Sequence, residues 1–214
     1  MCGRFTLRTP ASEVAKEFGL LSVPELFPRY NIAPTQNVAA VRLGEGGQGE
    51  LSMFRWGLVP SWADDAAISK GLINARAETV ATKPAFRRAF AKRRCLIPCD
   101  GFYEWAKDGS AKQPYHFTLD RGLFALAGLW ERWGDVESCT IITTTANEVT
   151  SRFHDRMPVI LPRGGYAAWL DPQFENLDHL QSLLRPCPAD GMTATPVSRV
   201  VNNPRNDVPE CCRA

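Results

Sequence analysis

The residue with the most unusual chemistry stands second in the chain. Met1 is followed by Cys2, and a residue this small permits removal of the initiator methionine. The new terminus then carries an α-amine and a thiol on one residue. The amine has a pKa of about 7.7–8.0, against about 10.4 for lysine, so far more of it is neutral and nucleophilic near pH 7. Such a pair can condense with an aldehyde, first to an imine and then to a five-membered thiazolidine. An ordinary second residue has the same spelling, and position alone does not separate the two readings.

Four further segments hold groups suited to chemistry. Glu104 lies between Tyr103 and Trp105 in Asp100-Gly-Phe-Tyr-Glu-Trp105. A carboxylate in a buried aromatic strand has a raised pKa and suits proton transfer near neutrality; an edge-strand glutamate facing water is the alternative. In Ile73-Asn-Ala-Arg-Ala-Glu78 the polar residues Asn74 and Arg76 are two apart. An extended backbone points both the same way, toward a phosphate or a reacting group, although a surface loop uses the same residue types. In His154-Asp155-Arg156-Met157-Pro158, His154 can serve as acid or base and Arg156 can grip phosphate. In Trp56-Gly-Leu-Val-Pro-Ser-Trp62 a Gly/Pro turn separates two indoles. Trp56 is expected inside, and Trp62 outside, where a ring can stack on a base for about 1–3 kcal/mol.

Other candidates read as structural. His116 falls in an expected strand and His179 on an amphipathic helix. The seven cysteines are irregularly spaced and fit free thiols of a reducing compartment. Cys95-x3-Cys99 and Cys211-Cys212 lack paired CxxC knuckles, and the second pair is expected in a frayed tail, so no metal is expected. There is no phosphate-binding glycine loop, dinucleotide fingerprint or nucleophile-elbow serine, and no cofactor is expected.

These residues must be positioned by many short elements. Thr9-Pro10, Ala11–Phe18 and Gly19 read as a helix with a Thr N-cap and a Gly stop. A Gly-rich loop from Arg42 to Glu50 separates strand candidates Val38–Leu43 and Leu51–Leu58. Pro84–Arg93 reads as a helix with Phe86 and Phe90 on one face. Strands are expected at Cys95–Ile97, Phe102–Trp105, Tyr115–Leu119, Leu123–Trp130, Cys139–Thr144 and Val159–Leu161, and late helices at Ala146–Phe153 and Phe174–Leu184. Doubly wound βαβα alternation is absent. The pattern fits an α+β fold, a rolled, barrel-like mixed β-sheet flanked by a few short helices. No linker divides the 214 residues, so one domain over 1–214 is expected, with a core of about 2–206 and a short tail.

Composition narrows the class further. A hydrophobic fraction of 44% and a charged fraction of 22% are ordinary for a globular protein. A net charge of +2 does not by itself announce a polyanionic partner. Lys83–Arg94 nonetheless holds six positive charges and no acid, which is either a solvated helix face or a phosphate-contacting block. No apolar run approaches the ~20 residues of a membrane span, and the N-terminus lacks a signal-peptide core. A cytoplasmic protein is expected.

Taken together, the segments resemble the SRAP family, the SOS response-associated peptidases or abasic-site-processing proteins. The likeness rests on Met1-Cys-Gly-Arg-Phe5, Arg29-Tyr-Asn-Ile-Ala-Pro-Thr35, Trp56–Trp62, Ile73-Asn-Ala-Arg-Ala-Glu-Thr79, Arg94-Cys-Leu-Ile-Pro-Cys-Asp-Gly-Phe-Tyr-Glu-Trp105, His154–Pro158 and Pro196-Val-Ser-Arg199. These run in family order over nearly the whole chain. The resemblance implies a sensor of abasic sites in single-stranded DNA, acting in the DNA damage response through a covalent thiazolidine crosslink to Cys2. It assigns Asn74 to positioning, Glu104 to acid–base work at the amine and His154 to sugar-ring opening. It assigns Arg4, Arg76 and Arg156 to phosphate contacts and Trp62 to a base-stacking wedge. It also implies self-removal of Met1 and a weak lyase activity. The partner would be single-stranded DNA containing abasic sites, bound by a monomer that associates with the nucleoid when on DNA and is compatible with replication-fork proteins. Two other classes stay open: an N-terminal-nucleophile cysteine peptidase using Cys2 with Glu104 or His154 as base, and a non-covalent single-strand-binding module.

Overall fold

The computed structural model describes residues 2–44, 46–108 and 111–214. Met1, whose removal the sequence reading requires, and Glu45 of the Gly-rich loop lie outside the described residues. The strands are β1 (Phe5–Leu7), β2 (Arg29–Ile32), β3 (Asn37–Leu43), β4 (Gly49–Trp56), β5 (Asn74–Arg76), β6 (Arg94–Cys99), β7 (Gly101–Asp108), β8 (Ala111–Leu119), β9 (Phe124–Trp133), β10 (Val136–Thr145), β11 (Arg156–Pro158), β12 (Ile160–Leu161) and β13 (Met192–Pro196). The α-helices are α1 (Ala11–Phe18), α2 (Arg87–Lys92), α3 (Tyr166–Leu170) and α4 (Leu177–Ser182). None of the described helices is long and apolar enough to cross a membrane.

Five strands close into a mixed barrel in the order β10-β4-β3-β6-β9, with β9 pairing back onto β10. Closure uses one parallel contact, Ser138↔Arg55 and Cys139↔Trp56 between β10 and β4. Strands β5 and β11 extend the far end of β10, and β12 pairs with β9. A second sheet, β13-β8-β7-β1-β2, is antiparallel throughout. The α+β class with a barrel-like mixed sheet and few short helices is therefore what the chain forms.

Alternation along the strands splits the core. On β6, Cys95 and Ile97 join a cluster shared with Phe5, Phe102 and Phe117 of the second sheet, while Leu96 joins another beneath the helices. That second cluster centres on Trp169, whose indole N–H donates to the Cys95 carbonyl at 3.0 Å and whose ring meets Phe90 edge-on.

Several elements differ from expectation for local reasons. Helix α1 ends at Gly19 (φ 63°) as expected, but Pro10 is its N-cap, because the Thr9 hydroxyl donates to Asp100 at 3.0 Å instead. The helix expected over Ala146–Phe153 is a 3-10 turn at Thr150–Arg152, since the Asn147 amide oxygen captures the N–H groups of Val149 and Thr150. The 84–93 helix shortens to α2, and the last one to α4 behind an Asn176 cap. Cys211 and Cys212 are not in a frayed tail: Cys211 is buried beside Tyr103 and Val201, and the Tyr103 hydroxyl lies 3.0 Å from the Cys212 sulfur.

The block Lys83–Arg94 is not one basic face. Arg94 is only 2% exposed, and its guanidinium donates to the carbonyls of Phe90, Ala91, Trp169 and Asp171. Arg93 pairs with buried Glu131, and Lys92 with Glu175. Arg94 is a brace between α2 and α3 and is withdrawn as a phosphate contact.

Beneath β1 lies a buried polar group. His116 of β8 sits 3.2 Å from the Thr6 hydroxyl and packs over Gly101, where a Cβ would come within 2.1 Å of its ring. Burial pushes its pKa from 6.5 down to about 4. A folded pKa below the unfolded one means stability that is fully present above pH 6.5 and is lost as pH falls toward 4, up to about 3 kcal/mol. Urea titrations at pH 7.0 and 4.5 should show this loss in the wild type and a clearly smaller one in His116→Gln; equal losses would show that His116 is not the titrating group.

Candidate active site

The N-terminal segment reaches the site through β1. The antiparallel register of β1 and β7 pairs Phe5 with Phe102, and the Arg4 carbonyl accepts the Tyr103 N–H at 3.0 Å. The chain therefore runs back along β7 toward Glu104 as it approaches Cys2. Phe5 meets Trp56 edge-on at 5.3 Å, and the Trp56 indole N–H donates to the Ile73 carbonyl at 2.8 Å. That bond fixes the entry to β5, whose Asn74 side chain donates to the Cys2 carbonyl at 2.9 Å. Trp56 is fully buried, and Trp62 is 51% exposed.

Strand β10 places the remaining groups. On one edge it pairs with β5, Ile141 facing Asn74 and Thr143 facing Arg76. It also pairs with β11, Thr145 facing Arg156. The Asp155 carbonyl accepts the Ala146 N–H, and the His154 N–H reaches Thr150. Phe153 then packs on Tyr115 with ring centroids 4.5 Å apart, and Tyr115 is the register partner of Glu104 on β8.

Electrostatics agree with this geometry. Cys2 is wholly buried, and its thiol pKa is pushed far up, first by burial and then by the charge of Glu104. Glu104 is 4% exposed, and burial raises its pKa, with the charge of Asp155 adding to the rise. Burial lowers the pKa of His154, helped by Arg156 and opposed by Asp155. The Arg156 backbone N–H donates to His154 Nδ1 at 3.0 Å, so the neutral ring carries its proton on Nε2. The Asp155 carboxylate, 2.7 Å from the same Nδ1, accepts a hydrogen bond from it only when that nitrogen carries a proton, as it does in the charged ring.

Cys2, Asn74, Glu104 and the His154-Asp155 pair thus share one neighbourhood. The Asn74 amide oxygen is buried there with no hydrogen-bond partner among the described residues, an acceptor suited to a ligand's N–H or O–H. Arg76 is exposed on the same strand. The other two arginines are committed within the protein. Arg156 makes a two-pronged bond to Glu78 at 2.6 and 3.0 Å and a third to the Thr143 carbonyl at 2.6 Å. Arg4 is half-buried, bonded to Asn31 and the Val201 carbonyl, and lies 5.8 Å from the Trp105 ring centroid. No contact links Trp62 to Cys2 among the described residues; its loop is held by the Trp133 indole N–H donating to the Ala63 carbonyl. No group of three or more potential metal ligands occurs among the described residues.

Sequence reasoning assigned no role to Asn31 or Glu78. The signal for Asn31 was an amide between Tyr30 and Ile32 inside the motif Arg29-Tyr-Asn-Ile-Ala-Pro-Thr35. Glu78 had none, because its partner Arg156 is 78 positions away.

The chain matches the family described as SOS response associated peptidase (SRAP) over residues 1–204. It is 45% identical over 220 residues to the abasic site processing protein YoqW of Bacillus subtilis (strain 168), covering 98% of each chain. To the abasic site processing protein HMCES of Xenopus tropicalis it is 32% identical, over 87% of this chain and 66% of the relative. A crystal structure of a protein from Bacteroides thetaiotaomicron superposes with a TM-score of 0.88 at 29% identity, over the whole of both chains.

The Glu78–Arg156 pair generates a test. Its carboxylate is 48% exposed, so Glu78→Gln should cost no more than about 1 kcal/mol of stability. It should release a guanidinium to a polyanion, steepening the salt dependence of single-stranded DNA binding by about 0.7 in log K per log[salt]. A flatter dependence would mean that Glu78 holds Arg156 in its binding pose.

Proposed function

Because the chain belongs to the SOS response-associated peptidase family, we propose that it processes abasic sites in single-stranded DNA by forming a thiazolidine crosslink through Cys2. The observation that carries this reading is the 2.9 Å bond from the Asn74 side chain to the Cys2 carbonyl, which holds the residue where the charge of Glu104 acts on it. The names of the relatives support abasic sites as the target.

Each group has a step that fits its environment. An abasic sugar is mostly a closed hemiacetal; His154 donates a proton to the ring oxygen as its bond to C1 breaks, and the C1 hydroxyl gives its proton to water, leaving the aldehyde. A ring whose pKa is depressed gives up its proton readily once charged. The α-amine of Cys2, free once Met1 is removed, attacks the aldehyde, and water leaves as the imine forms. The thiol then adds across the C=N bond: sulfur bonds to carbon and the thiol proton passes to nitrogen. Glu104 moves the protons, accepting one from the incoming ammonium and returning one on reversal. Its raised pKa suits both directions near neutrality. Asn74 offers its unpartnered oxygen to the opened sugar. Arg4 and Arg76 contact phosphates, Arg156 joins them where Glu78 lets it go, and Trp62 stacks on a base. Closing the imine into a ring removes the species that would drive β-elimination and strand cleavage.

Incubation with single-stranded DNA carrying an abasic site should give a shifted band that survives SDS and heat, starting from protein whose mass begins at Cys2. Cys2→Ala keeps an amine and loses the thiol, so the band should vanish or hydrolyse. An equally stable adduct from Cys2→Ala would exclude the thiazolidine, and a wild type with no SDS-stable band would leave only non-covalent binding.

Glu104 and His154 should fail differently in single-turnover kinetics. Glu104→Gln should slow both formation and reversal by about 10²–10⁴-fold. His154→Ala should slow capture of a natural abasic site and leave capture of an open-chain aldehyde analogue nearly unchanged. Equal loss on both substrates would remove His154 from ring opening.

A further inference from the structure

Arg4 is set apart from most half-buried cations of this protein. Arg8, Arg29, Arg42, Arg93 and Arg156 each meet a carboxylate. Arg4 meets only neutral acceptors: the Asn31 amide oxygen at 2.9 Å and the Val201 carbonyl at 2.8 Å, both from Nη1. Burial lowers its pKa, the mark of a cation held partly out of water without a counter-charge. Its other nitrogens make no bond to a described residue. A guanidinium pinned by one nitrogen, uncompensated and laid against an indole, is arranged for an anion from outside.

What pins it is the end of the chain. Asn31 is fully buried. Its Nδ2 lies 3.1 Å from the Val201 carbonyl, 3.1 Å from that of Asn203 and 2.7 Å from that of Asn206. With its oxygen on Arg4, this one side chain ties the β2 strand, the N-terminal segment and the C-terminal 3-10 turn Arg199–Asn202 together. The same turn holds the indole: the Trp105 N–H donates to the Asn202 side-chain oxygen at 2.7 Å. Asp207 locks the strap down by accepting the N–H groups of Tyr30 and Asn31 and pairing with Arg29. Both sides of the Arg4–Trp105 pair therefore lean on residues 201–207. Such a net is dense for a terminal segment, and a segment that only filled the core would not need to spend an amide on an unpaired cation.

We propose that Asn31 and Asn202 are positioning residues for DNA binding: they make the C-terminal strap the support that holds Arg4 against Trp105, its free edge toward a backbone phosphate. The inference rests on Arg4 contacting phosphate, as argued above. Asn31→Asp keeps the acceptor and size, loses the amide donor to the strap carbonyls and gives Arg4 a carboxylate, so an internal ion pair replaces the external one. Asn202→Ala, at an exposed position, removes only the indole's anchor.

The experiment is equilibrium binding to single-stranded DNA without an abasic site, over a range of salt, with thermal melts alongside. Asn31→Asp should flatten the salt dependence by about 0.7, as Arg4→Ala does. Asn202→Ala should weaken binding severalfold in the wild type and not at all in the Arg4→Ala background, and should leave the crosslinking rate at saturating DNA unchanged. If Arg4→Ala flattens the slope while neither asparagine variant changes binding, or if Asn202→Ala weakens binding equally with and without Arg4, the positioning role is wrong and the phosphate contact stands. If Arg4→Ala itself leaves the slope unchanged, the phosphate contact falls and the inference with it. Should Asn31→Asp fail to fold, the cycle between Asn202 and Arg4 decides alone.

Discussion

Strand β10 is paired on both edges over most of its length, and the site depends on that. Ser138 faces Glu131 of β9 and Arg55 of β4; Ile141 faces Gly128 of β9 and Asn74 of β5; Thr143 faces Arg76 of β5 and Pro158 of β11. A buried backbone must have its hydrogen bonds met, and here each switch of partner along β10 hands the edge to another segment. The first half closes the barrel. The second half recruits two three-residue strands too short to persist alone, and those are the strands that hold Asn74, Arg76 and Arg156. Asp155 and His154 directly precede the second of them.

The second sheet brings the other half of the chemistry. Strand β1 has three residues, and it is held by more than its ladder. Asp100 accepts from the Thr6 hydroxyl and from the Arg8 and Thr9 backbone N–H groups while pairing with the Arg8 guanidinium. Burial alone would raise its pKa, but the Thr6 hydroxyl and Arg8 outweigh it and hold the carboxyl low. Asp100 thus stays ionised as the anchor of β1. In Glu104, four residues on, burial prevails and the pKa is raised. Two acidic residues close in sequence are thus driven apart by their surroundings. The first is structural; the second is the one suited to moving protons.

Arginine placement follows the same logic. Arg94 is satisfied by carbonyls at helix ends and braces the fold. Arg156 is balanced by Glu78, with the Thr143 carbonyl as a further acceptor. Arg4 meets neutral acceptors through Nη1 alone, beside an indole. Arginines alike in the sequence therefore resolve into a brace, paired cations and a half-buried cation with a free edge, and net charge says nothing about which is which.

The sequence by itself determined the elements whose cause is local. Short apolar runs marked the long strands β3, β4, β9 and β10, Gly19 stopped α1, and the Gly-rich loop between Val41 and Leu51 made the β3–β4 hairpin. The aromatic run around Glu104 marked a buried carboxylate, and the pair of tryptophans divided into one buried and one exposed. The family was legible in the motifs. Strands β1, β2, β5, β11 and β13 were not legible, because three to five residues carry too little periodicity and persist only where another strand offers an edge. The helix expected after β10 lost to an asparagine side chain competing for the backbone N–H groups. Likewise only the tertiary structure decided that Cys2 lies beside Asn74, 72 positions on, that Arg94 faces inward and that the last residues pack over Tyr103. Those facts depend on which buried donors and acceptors find partners across the fold, and spacing along a chain does not encode that.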